Sequence, residues 1–550
     1  MSIENPLIGL FKNAGELSVC QTVTTKEELE KSLECFEEAL KTGGIYMLRR
    51  AVTENGIVEG LPASDPRITV FKGIPFAAPP VGELRWKPPQ PCKNWEGILK
   101  AYTFAPISIQ AMPGLDPNNI YTKEWHVDPN IPMSEDCLYL NIWTPAKHSD
   151  ERLPVMIWFF GGGLQVGYTS EMEFDGERIA RRGIVFVSVN YRLNVFGFFA
   201  HPQISEENKD GPKANFGLLD QLAGIEWVKR NISAFGGDPE NITIFGQSAG
   251  GGCVTAHITS PVSKGLFQKA IIQSGGGFAP RFNQGYPDLS EAEKMGEEFF
   301  KFLGVKSLEE ARKIDAKVLF KKAEEFGHRW GFVKDGYYIV DDPVKLIVKG
   351  SWHKIPLIMG HTANEFIEKP DVETIEEFKE YAYKRFGEDA EEYIKICCEG
   401  SNDISEIKEK GKINMFEIGN LMWCEHNAKK KDTTIYCYCF DPEIPGDDAG
   451  SFHSSELWFV FETLAKCWRP FVGKHYDLAR QMCNYWTNFA KKGDPNGLDA
   501  DGTPMPVWRP YTEVEPFVML FGDKPGKDPN RPTKLMKFMV RHLFKKLKIN

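Results

Sequence analysis

No stretch of this chain stays apolar for the roughly 20 residues that a helix needs to cross a bilayer. The first residues, Met-Ser-Ile-Glu-Asn-Pro-Leu, bring neither a basic cluster nor a long apolar run, so they do not read as a secretory signal. Basic residues are not in excess: 66 Lys and Arg stand against 76 Asp and Glu, a formal charge of −10. That balance argues against a general nucleic-acid binder. The twelve cysteines include no C-x-x-C, and neither Cys397-Cys398 nor Cys437/Cys439 has zinc-ligand spacing. They read as buried thiols of a cytoplasmic protein, in which the sequons at Asn231-Ile-Ser and Asn241-Ile-Thr go unused. Asp499-Ala-Asp501-Gly lacks the spacing and closing glutamate of a calcium loop.

What is present is an ordinary globular composition, 42% hydrophobic and 26% charged, enough for a sizeable core. The length of 550 residues allows three or four domains, yet no internal repeat and no long linker divides it. Residues 1–44 read as a helical extension. Thr25-Lys-Glu-Glu28 is a capping box. Leu29, Leu33, Phe36 and Leu40 share one helical face, and Gly43-Gly44 ends it. Residues 45–550 read as one domain. Pro and Gly crowd 71–85, so a long loop is expected there. Apolar strands are expected at Val155–Phe160, Ile184–Tyr191, Ile242–Phe245, Lys269–Ser274, Ile355–Gly360 and Thr434–Phe440, with helices between. Strands and helices alternating in this way predict an α/β fold with a mostly parallel sheet covered on both faces. The charged helical text at 280–350 breaks the rhythm and is expected to be an insertion over the site. The basic tail, Lys534–Lys548, is expected to form a helix packed on the body.

The chemistry centres on Gly246-Gln247-Ser248-Ala249-Gly250, a G-x-S-x-G between a strand and a small-residue helix. In that context a sharp turn exposes the serine hydroxyl as a nucleophile. A serine needs a base, and the base needs an orienting carboxylate. Eight histidines follow Ser248. His453, in the Gly/Ser-rich loop after the strand ending at Phe440, is best placed, whereas His257 belongs to the helix after the turn. Glu365, in the loop after the strand 355–359, is the acid candidate, with Glu368, Asp341 and Asp342 as rivals. A developing oxyanion needs fixed N–H donors. Gly161-Gly162-Gly163 after a strand, together with Ala249, can supply them.

These pieces resemble the type-B carboxylesterase family, the α/β-hydrolase branch that also holds the cholinesterases. The likeness runs from about residue 50 to about 520. It rests on F-K-G-I-P-F-A-A-P-P-V-G-E-L-R at 71–85, S-E-D-C-L-Y-L-N-I-W-T-P at 134–145 and N-Y-R-L-N-V-F-G-F at 190–198. It continues through G-L-L-D-Q-L-A-G-I-E-W-V-K-R-N-I at 217–232, F-G-G-D-P-E-N-I-T-I-F-G-Q-S-A-G-G at 235–251 and F-H-S-S-E-L-W-F-V-F at 452–461.

The resemblance implies an α/β-hydrolase with Ser248, His453 and Glu365 as a triad. It implies an oxyanion hole from Gly162, Gly163 and Ala249, a supporting Ser274 near the acid, and core ion pairs at Glu135 and Arg192. Phe160 stands where the family often has histidine, and Asn-Glu-Phe at 364–366 where Asp-Glu-Gly is usual. Secreted relatives pair the Cys137 position with a cysteine near the place of Ser108, so that bridge is absent here.

The activity so implied is hydrolysis of small to medium, apolar or aryl esters through an acyl-enzyme, without metal or cofactor. Leu164, Phe278, Trp330 and Phe332 are candidate pocket walls. The expected partner is a small-molecule ester, with no nucleic acid and no membrane insertion. Oligomeric state is left open. The alternatives are a non-catalytic adhesion homologue on the same fold and a lipase- or amidase-like specificity.

Overall fold

The computed structural model describes residues 47–112, 119–125, 128–276, 278 and 285–549. The expected helix before Gly43 lies outside these residues. An eleven-stranded sheet forms the middle of the molecule. In chain order its strands are β1 (Leu61–Pro62), β2 (Thr69–Pro75), β3 (Tyr139–Thr144), β4 (Leu153–Phe159), β5 (Val185–Val189) and β6 (Gly237–Gln247). They continue with β7 (Lys269–Gln273), β8 (Leu357–Thr362), β9 (Ile435–Phe440), β10 (Val518–Phe521) and β11 (Pro525–Lys527). Across the sheet the order is β1-β2-β3-β5-β4-β6-β7-β8-β9-β10-β11. The strands from β5 to β10 in that order are parallel, and the pairs at both edges are antiparallel.

The central strands are apolar on both faces because both faces are covered. Val155 and Ile157 point into one core cluster, while Met156 and Trp158 point into the other. Helices Phe216–Asn231, Ala249–Thr259 and Met415–Lys430 belong to the first side and Gly473–Lys492 to the second. The expected strands appear within one or two residues at most ends. β6 is longer than its apolar text, because Gly237 pairs with Leu153 before the run begins. The insertion folds as helices Leu289–Leu303, Leu308–Arg312 and Ala316–Phe326. The basic tail forms a helix, Lys534–Lys546, with Leu535, Phe538, Met539, Val540 and Leu543 buried.

Two buried ion pairs tie loops to this frame. Arg85 forks onto Glu135 at 2.6 and 2.7 Å and also donates to the carbonyls of Ala311 and Ile314. Arg192 forks onto Asp220 at 2.8 and 2.7 Å. Glu135 and Arg192 are therefore both paired in the core, each with its own partner. Such forks hold geometry well, and removing one member leaves a buried charge unmatched.

Backbones approach closely where β6 turns into the helix that follows it beside β4. A Cβ on Gly250 would sit 2.1 Å from the Phe159 carbonyl oxygen, and one on Gly246 would sit 2.5 Å from the Gly250 carbonyl. Both neighbours are backbone, so neither can move aside cheaply. Gly250→Ala is expected to destabilise the protein by about 1–3 kcal/mol or more, read as a lower melting temperature. An unchanged melting temperature would contradict this packing.

Candidate active site

The turn between β6 and its helix places Ser248 at φ 56° and ψ −123°. A non-glycine residue is strained there and persists only where its surroundings fix it. They do so by hydrogen bonds: the Ser248 amide donates to the Gln273 carbonyl at 2.8 Å, and the Ser248 carbonyl accepts from the Gly252 amide at 3.0 Å.

His453 arrives on the loop after β9. Its Nε2 lies 2.8 Å from Ser248 Oγ. Its Nδ1 is hydrogen-bonded to Glu365 Oε2. Glu365 sits in the loop after β8, is 1% exposed, and accepts a 3.0 Å bond from the Thr362 amide through its other oxygen. The two loops are laced together by Asn364: its amide donates to the Ser451 carbonyl, and its Oδ1 accepts from the Ser451 amide, both at 3.0 Å. Asn364 stood in the sequence only as a neighbour of the acid. Gln247 was also missed. Its Nε2 donates to Ser454 Oγ at 2.8 Å and lies 3.4 Å from His453 Nε2.

The rivals are engaged elsewhere. Glu368 pairs with Arg385, Asp341 with Lys349, and Asp342 caps the helix Pro343–Val348. His257 is buried between Tyr338 and Gln221, and burial lowers its pKa to about 3. His361 faces Glu417.

Gly162 and Gly163 adopt φ 99° and 65°, and a Cβ on Gly162 would meet the Val166 carbonyl at 2.0 Å. Among the described residues, none accepts a hydrogen bond from the amides of Gly162, Gly163 or Ala249. The insertion clamps this loop from outside. Arg329 Nη2 donates to the Gly163 carbonyl at 3.1 Å, and Gln165 Nε2 to the Trp330 carbonyl at 2.6 Å. Phe160 stacks on Tyr191 at 4.4 Å, and the Tyr191 hydroxyl donates to the Phe160 carbonyl. Ser274 is buried; its amide donates to the Gly360 carbonyl, but its hydroxyl has no hydrogen-bond partner among the described residues. The acid's second bond comes from Thr362 instead.

Leu164, Trp330 and Phe332 share one apolar cluster with Ala249 at its edge, and the Phe332 ring reaches Gly252. Phe278 does not join this wall. Its ring packs against Trp423 and His426 of the helix Met415–Lys430. The ten described cysteines are all free, and the Cys137 thiol meets the Ser108 hydroxyl. Among the described residues no His/Cys/Asp/Glu group could hold a metal ion. No helix among them is long and apolar enough to cross a membrane.

A serine, an imidazole and a carboxylate hydrogen-bonded one to the next can form and break an acyl bond. The carboxylesterase family model matches residues 49–538. The chain belongs to the carboxylesterase family. It is 35% identical over 500 residues to the fumonisin B1 esterase of Sphingopyxis macrogoltabida, covering 86% of each chain. It is 33% identical to the para-nitrobenzyl esterase of Bacillus subtilis, covering 81% of this chain and 90% of that one. Among solved structures, a Geobacillus stearothermophilus carboxylesterase superposes with a TM-score of 0.68 at 29% identity, over 89% of this chain and 99% of that one. The fold is that of an α/β-hydrolase, and the chain is a carboxylic ester hydrolase.

A second buried carboxyl lies close by. Glu456 is fully buried; one oxygen accepts from Gln273 Nε2 at 3.3 Å and the other has no partner among the described residues. Burial, and next the charge of Glu365, push its pKa up from 4.5 to about 8. The folded chain therefore holds a proton that the unfolded chain releases, and stability from this group falls as pH rises through that interval. Relative to Glu456→Gln, the wild-type chain should lose melting temperature between about pH 4.5 and 8, and no further above that. A pH-independent difference between the two would contradict a carboxyl held neutral.

Proposed function

We propose that Ser248 is the nucleophile, His453 the base and Glu365 the orienting acid of an acyl-enzyme mechanism. One observation carries the reading: the two ring nitrogens of a single buried histidine face the serine hydroxyl on one side and a carboxylate on the other. The carboxylate favours the tautomer with the proton on Nδ1, which leaves Nε2 free to accept the Ser248 proton as Oγ attacks the ester carbonyl. Charge then moves to the carbonyl oxygen, where the amides of Gly162, Gly163 and Ala249 receive it. The imidazolium returns its proton to the alcohol oxygen, and the C–O bond breaks. Water attacks the acyl-enzyme by the same route in reverse.

The apolar wall of Leu164, Trp330 and Phe332 favours small to medium, apolar or aryl esters, and the name of the para-nitrobenzyl relative points the same way. The adhesion alternative is not favoured, since the relatives are esterases and the three side chains adjoin. The free thiols suit a cytoplasmic setting. We read residues 45–550 as a single domain built on the one large sheet.

Ser248→Ala should leave the melting temperature near that of the wild type and remove at least about a thousandfold of kcat/KM. Near-normal hydrolysis by that variant would end the reading. Glu365→Gln should cost about 10³–10⁴ in kcat, while Glu368→Gln, on the Arg385 pair, should cost little; the reverse pattern would move the acid. A chain-length series of p-nitrophenyl esters beside matched amides locates the acyl preference. Amides turned over as well as esters would replace the esterase specificity with an amidase one.

A further inference from the structure

His453 rides on a loop that is held at two points. Before the ring, the Ser451 backbone exchanges hydrogen bonds with Asn364, the residue ahead of Glu365. After the ring, the Ser454 hydroxyl accepts a 2.8 Å bond from Nε2 of Gln247, the residue ahead of Ser248. The Glu365 loop and the strand β6 thus each grip the histidine loop through the side chain that precedes their own member of the three.

The second grip acts on a strained residue. Ser454 stands at φ 79°, in the left-handed region, and is buried. A serine there persists only where its surroundings fix it. Among the described residues, Gln247 is the hydrogen-bond partner of its hydroxyl. Gln247 has little room of its own: it is 2% exposed, and a Cβ on Gly161 would sit 3.0 Å from its Oε1.

The same amide nitrogen lies 3.4 Å from His453 Nε2, the ring nitrogen that faces Ser248 Oγ at 2.8 Å. A carboxamide nitrogen donates and does not accept. It is matched to a ring nitrogen that carries a lone pair and mismatched to one that carries a proton. A carboxylate in its place would do the opposite and favour the charged ring. The other titratable groups about the ring are Glu365, on Nδ1, then Glu456 and the hydroxyls of Tyr121 and Tyr438, which lie near both carboxyls.

We propose that Gln247 is a positioning residue for the proton transfer: through Ser454 it ties the base loop to the nucleophile strand, and it keeps Nε2 free to take the Ser248 proton. This rests on the assignment of Ser248, His453 and Glu365 given above. A bond that only held the fold would show in the melting temperature. One that aligns the base shows in the rate.

The test uses the full-length chain and p-nitrophenyl acetate, and reads kcat/KM, its pH profile and the melting temperature. Gln247→Ala and Ser454→Ala should each lower kcat/KM about tenfold. The double variant should be no slower than the slower single one, because both substitutions break one bond. Ser454→Gly should lose as much rate as Ser454→Ala yet melt above it, since glycine is at ease at positive φ. Gln247→Glu should move the acid limb of kcat/KM to higher pH by about one unit.

Losses that multiply in the double variant, or an acid limb that stays in place in Gln247→Glu, overturn the proposal. Variants that melt lower with kcat/KM unchanged overturn it too, and make Gln247 packing alone. That result beside an inactive Ser248→Ala leaves the triad standing without this residue. An active Ser248→Ala ends the triad and this inference together.

Discussion

The left-handed turn at Ser248 is the constraint on which the rest of this structure depends. Its φ and ψ of 56° and −123° push the hydroxyl out of the sheet but press the surrounding backbones together. A Cβ on Gly161 would lie 2.8 Å from the Gln247 carbonyl, and one on Gly275 would lie 2.0 Å from the Ser248 carbonyl. Gly246 and Gly250 are hemmed in by the same turn. Glycines at the ends of β4 and β7, and on both sides of the serine, thus answer to one steric demand. Strain at one residue is sustained because three neighbouring strands have been cleared to receive it.

Electrostatics imposes a second order on the site. His453 is the one imidazole between the serine and the acid, so it can balance a single negative charge. Two carboxylates, Glu365 and Glu456, lie near it, both almost wholly shielded from water. Two like charges in a medium of low permittivity repel strongly. The protein resolves this by giving them different partners. Glu365 accepts from the Thr362 amide and is hydrogen-bonded to the imidazole. Glu456 receives a single side-chain amide, and burial keeps its proton on. The Asn364–Ser451 exchange then fixes the Glu365 and His453 loops relative to each other, so their alignment does not rely on the Glu365–His453 contact alone.

Much of this was legible in the sequence, and the reason is periodicity and sterics. β4 to β9 announced themselves as apolar runs because both faces of the sheet are covered, and the G-x-S-x-G fell at a strand-to-helix junction as its chemistry requires. Ser248, Glu365 and His453 come together as their order along the chain suggested. What was not legible are contacts that no local pattern encodes. Asn364 reads as a loop residue until its partner, 87 positions away, is known. Phe278 reads as a candidate pocket wall, and no local pattern encodes the contact its ring makes with Trp423. Ser274 reads as support for Glu365, but its hydroxyl has no hydrogen-bond partner among the described residues, and Glu365 accepts from the Thr362 amide.

The places where the chain leaves the family's usual text show how it holds its loops by other physical means. Stacking on Tyr191 supports the start of the glycine loop at Phe160, where a histidine would have offered hydrogen bonds. The strap that carries Ser108 has no covalent tie to Cys137, only a hydroxyl against a thiol. A disulfide there would have restricted the unfolded chain by itself. Here the neighbouring hold is Arg85, whose guanidinium reaches Glu135 and also the carbonyls of Ala311 and Ile314 in the insertion. The arginine ties its own loop to the segment before β3 and to the insertion, and the insertion in turn holds the glycine loop through Arg329 and the Trp330 carbonyl. The loop of Gly162 and Gly163 is thus kept in place by a chain of non-covalent contacts that begins about 80 residues earlier in the sequence.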